Sequence, residues 1–276
     1  MNTKSLITRI LLTVCFLSSL SACFAANRII SLVPSQTELL CAMGFIHELV
    51  GVSDYCNYPE EVRNVSRIGG LELSIEKILS LRPSIVIDAN NMHRKYEPLF
   101  RQLGLNYVNF TATRLNHTPD IAMTLAGLLN APDKGSDFAE KWNAQLDELK
   151  IEPSPSRVKI YFEIWDTPVQ GAGGQSFIGE LIDYAGGTNI LATNGDYPVV
   201  NHEMIIAADP DVIVLSYPTP SIDRVKARPG WLAVKAIKQN HIYAVDQDIF
   251  VRPGPRNLEA IALLKKIFQG VIDHEH

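Results

Sequence analysis

Four loop segments carry the residues best suited to gripping a ligand. Tyr55 lies in DYCNYP (54–59), Trp165 stands just ahead of Pro168, Tyr197 lies in DYP (196–198), and Asp248, Phe250 and Arg252 share DIFVR (248–252). Aromatic rings offer broad apolar faces, and one carboxylate with one guanidinium can fix the orientation of a polar ligand, a combination that suits capture of a bulky molecule. Taken singly, each ring reads equally well as a loop residue packing locally. Their joint placement next to strand ends and helix starts is what points to a cleft.

A second constellation is acidic. SIEKILSLRPSIVI (74–87) can be laid over NHEMIIAADPDVIV (201–214) without a gap, at an offset of 127. Each copy has a capping residue (Ser74, Asn201), a glutamate in the first helical turn (Glu76, Glu203), a proline (Pro83, Pro210) and then an apolar strand. By itself such a glutamate only complements the helix dipole, worth about 0.3–1 kcal/mol. One on each half supplies a two-point acidic face for a basic partner.

The sequence lacks the motifs of covalent chemistry. There is no Gly-x-Gly-x-x-Gly, no Walker loop, no Gly-x-Ser-x-Gly elbow and no His-Glu-x-x-His. Gly171-Ala-Gly-Gly174 could hold an anion on backbone N–H groups, but without a downstream pattern it reads first as a loop that needs tight turns. The histidines are scattered apart from His274 and His276, so no clustered metal site is expected. Cys41 and Cys56 are read as two buried thiols or, in an oxidising compartment, as a disulfide. An α/β hydrolase or transferase is disfavoured for want of a nucleophile–base pair. With 25 basic against 30 acidic residues and no basic run, a nucleic-acid partner is not expected either.

These residues need a frame. Residues 28–33 (RIISLV) form the continuous β-branched run of a strand buried on both faces. SQTE (35–38) opens an apolar run to Met43 with Gly44 behind, predicting a helix with a capping box and a C-terminal glycine. Strands are expected at 49–52, 84–87, 106–110, 159–162, 211–215 and 241–245, and helices at 176–185 and 257–272, an alternation that predicts two series of βαβ units. Between the halves, Phe138, Trp142, Leu146 and Leu149 fall on one stripe, so residues 134–150 predict a single stiff helix.

At the N-terminus, Lys4 and Arg9 precede an apolar run over 10–20 that ends in small residues, the pattern of an export signal over 1–25 and too short to span a bilayer. Two cleavages compete. LSAC (20–23) would leave a lipidated Cys23, whereas CFA (23–25) suits cleavage after Ala25 and a mature chain with 23 basic and 30 acidic residues. The mature protein is expected to be exported, free or anchored.

RIISLVPSQTE (28–38), GVSDYCNYP (51–59), LSIEKILSLRP (73–83), residues 197–210 and FVRPGPR (250–256) together resemble the periplasmic cobalamin-binding proteins of ABC importers. Their wider group also includes ferric siderophore and haem receptors. The resemblance spans residues 27–272. It implies an α/β fold of class III periplasmic binding proteins: two Rossmann-like lobes with central parallel sheets, 27–130 and 154–276, joined by one backbone helix over 131–153. It further implies a monomeric, non-enzymatic receptor without a cofactor of its own. Such a receptor takes cobalamin or a related metal chelate between its lobes and delivers it to a permease dimer. Contact positions implied are Pro34, Ser35, Tyr55, Tyr197, Asp248, Phe250 and Arg252; docking positions implied are Glu76 and Glu203. Where the cobalamin relative has pocket tryptophans, this chain has Gly70 and Ala89–Asn90.

Overall fold

The computed structural model describes residues 27–150 and 158–273. The export signal with Cys23, the stretch around Pro153, and His274 with His276 lie outside the described residues. The first lobe runs β1 (Ile29–Ser31), α1 (Pro34–Ala42), β2 (Leu49–Val52), α2 (Ile75–Ser80), β3 (Ile85–Ala89), α3 (Glu97–Gln102), β4 (Tyr107–Phe110) and α4 (His117–Leu128). Its sheet has the order β2-β1-β3-β4, all parallel. Helix α5 (Pro132–Leu149) leads to the second lobe: β5 (Lys159–Asp166), β6 (Val169–Gly171), α6 (Phe177–Tyr184), β7 (Thr188–Asn189), α7 (His202–Ala208), β8 (Val212–Leu215), α8 (Ile222–Lys226), α9 (Lys235–Lys238), β9 (Ile242–Ala244), α10 (Asp248–Val251) and α11 (Asn257–Asp273). Here the order is β6-β5-β8-β9 with β7 beside β5, and only β6 is antiparallel.

Burial explains the sequence pattern. β1, β3 and β8 are buried along their whole length, so apart from Ser31 and Asp88 near the strands' carboxyl ends both faces are apolar. Ile29, Ile85 and Ile87 pack on one side of the first sheet with Leu125 of α4, while Ile30 and Val86 pack on the other with Ile78 and Phe100.

The linking helix is a single rod whose stripe serves both halves. Trp142 and Leu146 belong to the core of the second lobe, and Phe138 touches the cores of both. It begins at Pro132, before the expected start, and takes in Gly135. A Cβ there would lie 2.8 Å from the Ala126 Cβ and 2.9 Å from the Ala122 carbonyl oxygen, so glycine is what lets α4 and α5 cross in contact.

The expected capping box of α1 does not form. Val33 is the N-cap, Pro34 sits in the first turn, and Glu38 turns to an ion cluster instead. Gly44 does follow the helix, with φ 78°. The echoed unit, in contrast, is one conformation used twice. Ser74 Oγ accepts from the Lys77 N–H and Asn201 Oδ1 from the Met204 N–H. Arg82 and Asp209, also 127 apart, both adopt φ 45° ahead of their prolines.

Candidate functional site

The carboxyl ends of both sheets face a cleft between the lobes. A cavity of about 220 Å³ lies there, lined by Asn90 and Thr113 of the first lobe and by Ser176, Tyr197, Val251 and Pro253 of the second. A larger space of about 870 Å³ runs along the outer edge of β2, beside Val50, Pro59 and Glu61. None of the predicted ligand contacts lines it, so the smaller interlobe cavity is the better site.

An ion cluster ties the lobes beside this cavity. Glu38 of α1 is 3% exposed. It accepts from Arg256 Nε (2.9 Å) and Nη2 (2.8 Å) and from Arg252 Nη1 (3.0 Å). Arg252 also pairs with Asp248 at 2.8 Å and donates to Asn57 Oδ1 at 2.7 Å, and Asn57 Nδ2 donates to Asp248 Oδ2 at 2.9 Å. The Tyr58 ring covers the Arg256 guanidinium, 4.3 Å from its centroid. Burial works against the charge on Arg256, but its bonds to Glu38 outweigh it and raise its pKa above the ordinary value.

A second buried cluster braces the first lobe's rim. Asp88, at the end of β3, accepts from the His93 backbone N–H at 2.9 Å and from the Tyr107 hydroxyl at 2.8 Å. Burial pushes this carboxyl up, yet the His93 and Tyr107 donors prevail and hold it below the usual carboxylate range. His93 Nδ1 lies 3.2 Å from Asp88 Oδ1 and its Nε2 3.0 Å from the Gly70 carbonyl oxygen. Each ring nitrogen of His93 thus faces an oxygen acceptor. The brace thereby fixes Gly70, over which Tyr55 lies: a Cβ on Gly70 would be 3.1 Å from the Tyr55 hydroxyl oxygen. Glycine at this position makes room for that ring.

The structure distributes the predicted contacts unevenly. Tyr55, Trp165 and Tyr197 are each about half exposed, and of the three only Tyr197 borders the cavity. Trp165 belongs to β5 and donates from Nε1 to the Thr167 carbonyl oxygen at 3.0 Å. Pro34 and Ser35 open α1, with Gly254 crossing close by: a Cβ there would be 3.5 Å from the Ser35 carbonyl oxygen. Asp248 and Arg252 face each other and Arg252 also pairs with Glu38, with little surface left over.

Phe250 requires a correction. It is fully buried in the core of the second lobe, its ring 5.1 Å from that of Phe162, and it does not reach the cleft. Its neighbour Val251, 47% exposed, lines the cavity instead. The short helix α10 turns Ile249 and Phe250 inward and Val251 outward, a periodicity too brief to read from four residues. Cys41 and Cys56 are both free, so the disulfide alternative is also corrected. Cys56 Sγ lies 3.1 Å from Thr37 Oγ1 and 3.2 Å from Ser53 Oγ, and burial pushes the Cys41 thiol up to about 12. Gly173 and Gly174 prove to be packing glycines, since a Cβ on either would collide with the Gly195 or Ala192 carbonyl oxygen. Asn57 and Tyr58 were missed as cluster members; their signal was the same DYCNYP segment that offered Tyr55.

Two parallel-sheet lobes, one linking helix and a cleft rimmed by rings define a ligand-binding protein. The model of the periplasmic binding protein family matches residues 29–249, and the chain belongs to that family. It is similar to the vitamin B12-binding protein of Vibrio parahaemolyticus, 29% identical over 263 residues that cover 93% of this chain and 94% of the relative. Among solved structures it is similar to the periplasmic vitamin B12 binding protein BtuF of Vibrio cholerae, with a TM-score of 0.73, 25% identity and coverage of 89% of this chain and 98% of that one. It is similar as well to the periplasmic haem-binding protein RhuT from Roseiflexus sp. RS-1, with a TM-score of 0.78, 25% identity and coverage of 90% and 99%.

Proposed function

We propose that this protein captures cobalamin between its lobes and delivers it to the permease of an ABC importer, docking through Glu76 and Glu203. The observation that carries the reading is the interlobe cavity, lined by Asn90 and Thr113 from one lobe and by Tyr197 and Val251 from the other. Similarity to a vitamin B12-binding relative along 93% of the chain supports the choice of ligand. In this reading the protein is an exported monomer that performs no chemistry, and the metal belongs to the cargo. Titration of the mature protein with cyanocobalamin is expected to give a 1:1 isotherm; no binding refutes the ligand assignment.

Haem is the second reading, favoured by the likeness to RhuT. A phenolate is the form of tyrosine that ligates ferric iron. Burial, and then the charge of Asp196, raises the pKa of Tyr197 and so disfavours that form. Tight binding of hemin with a shifted Soret band, and none of cyanocobalamin, decides for haem.

The docking role is supported by the matched geometry of α2 and α7, which present Glu76 and Glu203 exposed in equivalent first turns. Charge reversal at both sites is expected to abolish uptake and to leave ligand affinity unchanged. An equal fall in affinity refutes the docking role.

A further inference from the structure

We propose that the two docking faces differ in chemistry: the second lobe meets the permease through an acidic group in an apolar rim, Glu203 with Val199, Met204 and Leu232, where the first lobe carries charged side chains at the positions matching Val199 and Met204. The proposal rests on the docking reading of Glu76 and Glu203. Leu232 is 72% exposed, Val199 61% and Met204 38%. These apolar side chains surround one short helix.

The helical arrangement places them. On α7, Ile205 points into the core. His202 and Ile206 face the turn at 230–233: the His202 ring is 5.6 Å from that of Trp231, and a Cβ on Gly230 would lie 2.7 Å from Ile206 Cδ1. At 3.6 residues per turn, Glu203 then lies between this turn and Met204. Trp231 is fully buried, so it anchors the turn that holds Leu232 out in solvent. Val199 precedes the helix and bridges to Gln170, which fixes it near the helix start.

The first lobe repeats the backbone with other side chains. At the offset of 127, Val199 and Met204 correspond to Glu72 and Lys77. Glu72 pairs with Lys95 and accepts from the Tyr96 hydroxyl at 2.7 Å. Exposed charges of this kind are screened by salt, whereas burial of apolar surface is not. The partner that complements Glu203 and its rim is therefore a basic side chain set among apolar residues on the permease.

The test uses the intact protein loaded with cyanocobalamin and the purified permease in nanodiscs. Leu232→Ser with Met204→Ser is expected to weaken permease binding about tenfold at both low and high salt, with ligand affinity unchanged. Glu72→Gln with Lys77→Gln is expected to alter binding at low salt only. If the Leu232 and Met204 variant binds like the wild type while Glu203→Lys does not, docking stands and the apolar rim is overturned. If Glu76→Lys with Glu203→Lys also binds like the wild type, the docking reading itself falls, and the rim with it.

Discussion

Replacing Glu38 with glutamine tests whether the buried ion cluster holds the lobes together. The carboxylate is 3% exposed and accepts three charge-assisted bonds at 2.8–3.0 Å from two guanidinium groups of the other lobe. Glutamine keeps the volume and one acceptor oxygen but places an NH₂ group against a cation. Arg252 would retain Asp248 at 2.8 Å, while Arg256 would be left with Asp246 at 4.0 Å and the Tyr58 ring. The change therefore strands one guanidinium. Breaking a buried pair in this way costs about 3–5 kcal/mol, and because Arg252 keeps its partner the low end, about 3 kcal/mol, is expected. At about 2–4 °C per kcal/mol for a chain of this size, the melting temperature should fall by roughly 6–12 °C. Urea unfolding of the mature protein, followed by tryptophan fluorescence, measures the difference. Combining Glu38→Gln with Arg256→Met should cost less than the sum of the single changes, since the second removes the stranded charge. A Glu38→Gln protein within about 0.5 kcal/mol of the wild type, the range of ordinary surface changes, refutes the claim that this cluster is a stabilising tie.

Phe250→Ala should cost about 3–5 kcal/mol in unfolding free energy, because a buried ring packed at a tilt against Phe162 is lost, and should leave the affinity of the folded fraction for cyanocobalamin, the proposed ligand, unchanged. A selective loss of affinity would restore Phe250 to the cleft. Asp88 gives a pH prediction of fixed sign. Its folded pKa is held below the unfolded value near 3.9, so its contribution to stability is present above that pH and lost as pH falls through the folded value. Between pH 7 and about pH 3, the wild type should lose stability as pH falls below about 4, whereas Asp88→Asn should be weakened at pH 7 and lose less on acidification. Urea midpoints at the two pH values decide it, and equal acid sensitivity of both proteins would rule Asp88 out.

What could be read from sequence was local. The echo at 127 residues was legible because a cap, a glutamate, a proline and a β-branched run are each determined within a few positions, and the chain folds both copies alike. The linking helix was legible from its apolar stripe, although Gly135 escaped notice because its role depends on Ala122 and Ala126 of another helix. SQTE looked like a capping box because Glu38 stands at the right spacing from Ser35. Its true partner is Arg256, 218 residues away. The same holds for Asn57 and Asp248, 191 residues apart, and for Phe250, whose burial is set by Phe162. Nothing in a segment's own composition announces a partner so distant along the chain.

Those distant contacts bear on how the receptor works. Besides α5 and the Glu38 cluster, Leu115 from the loop after β4 is buried in the core of the second lobe, and its N–H donates to Glu180 Oε2 of α6 at 2.8 Å. Hinge closure would have to break a buried ion cluster, extract Leu115 and bend a continuous helix. The lobes are thus held at a set separation, and the cleft is largely formed before any ligand arrives. In the proposed function this has a consequence for transport: with Glu76 and Glu203 at the same spacing in the empty and the loaded receptor, the permease must tell the two states apart by touching the exposed ligand or the rim around it, not by sensing closure.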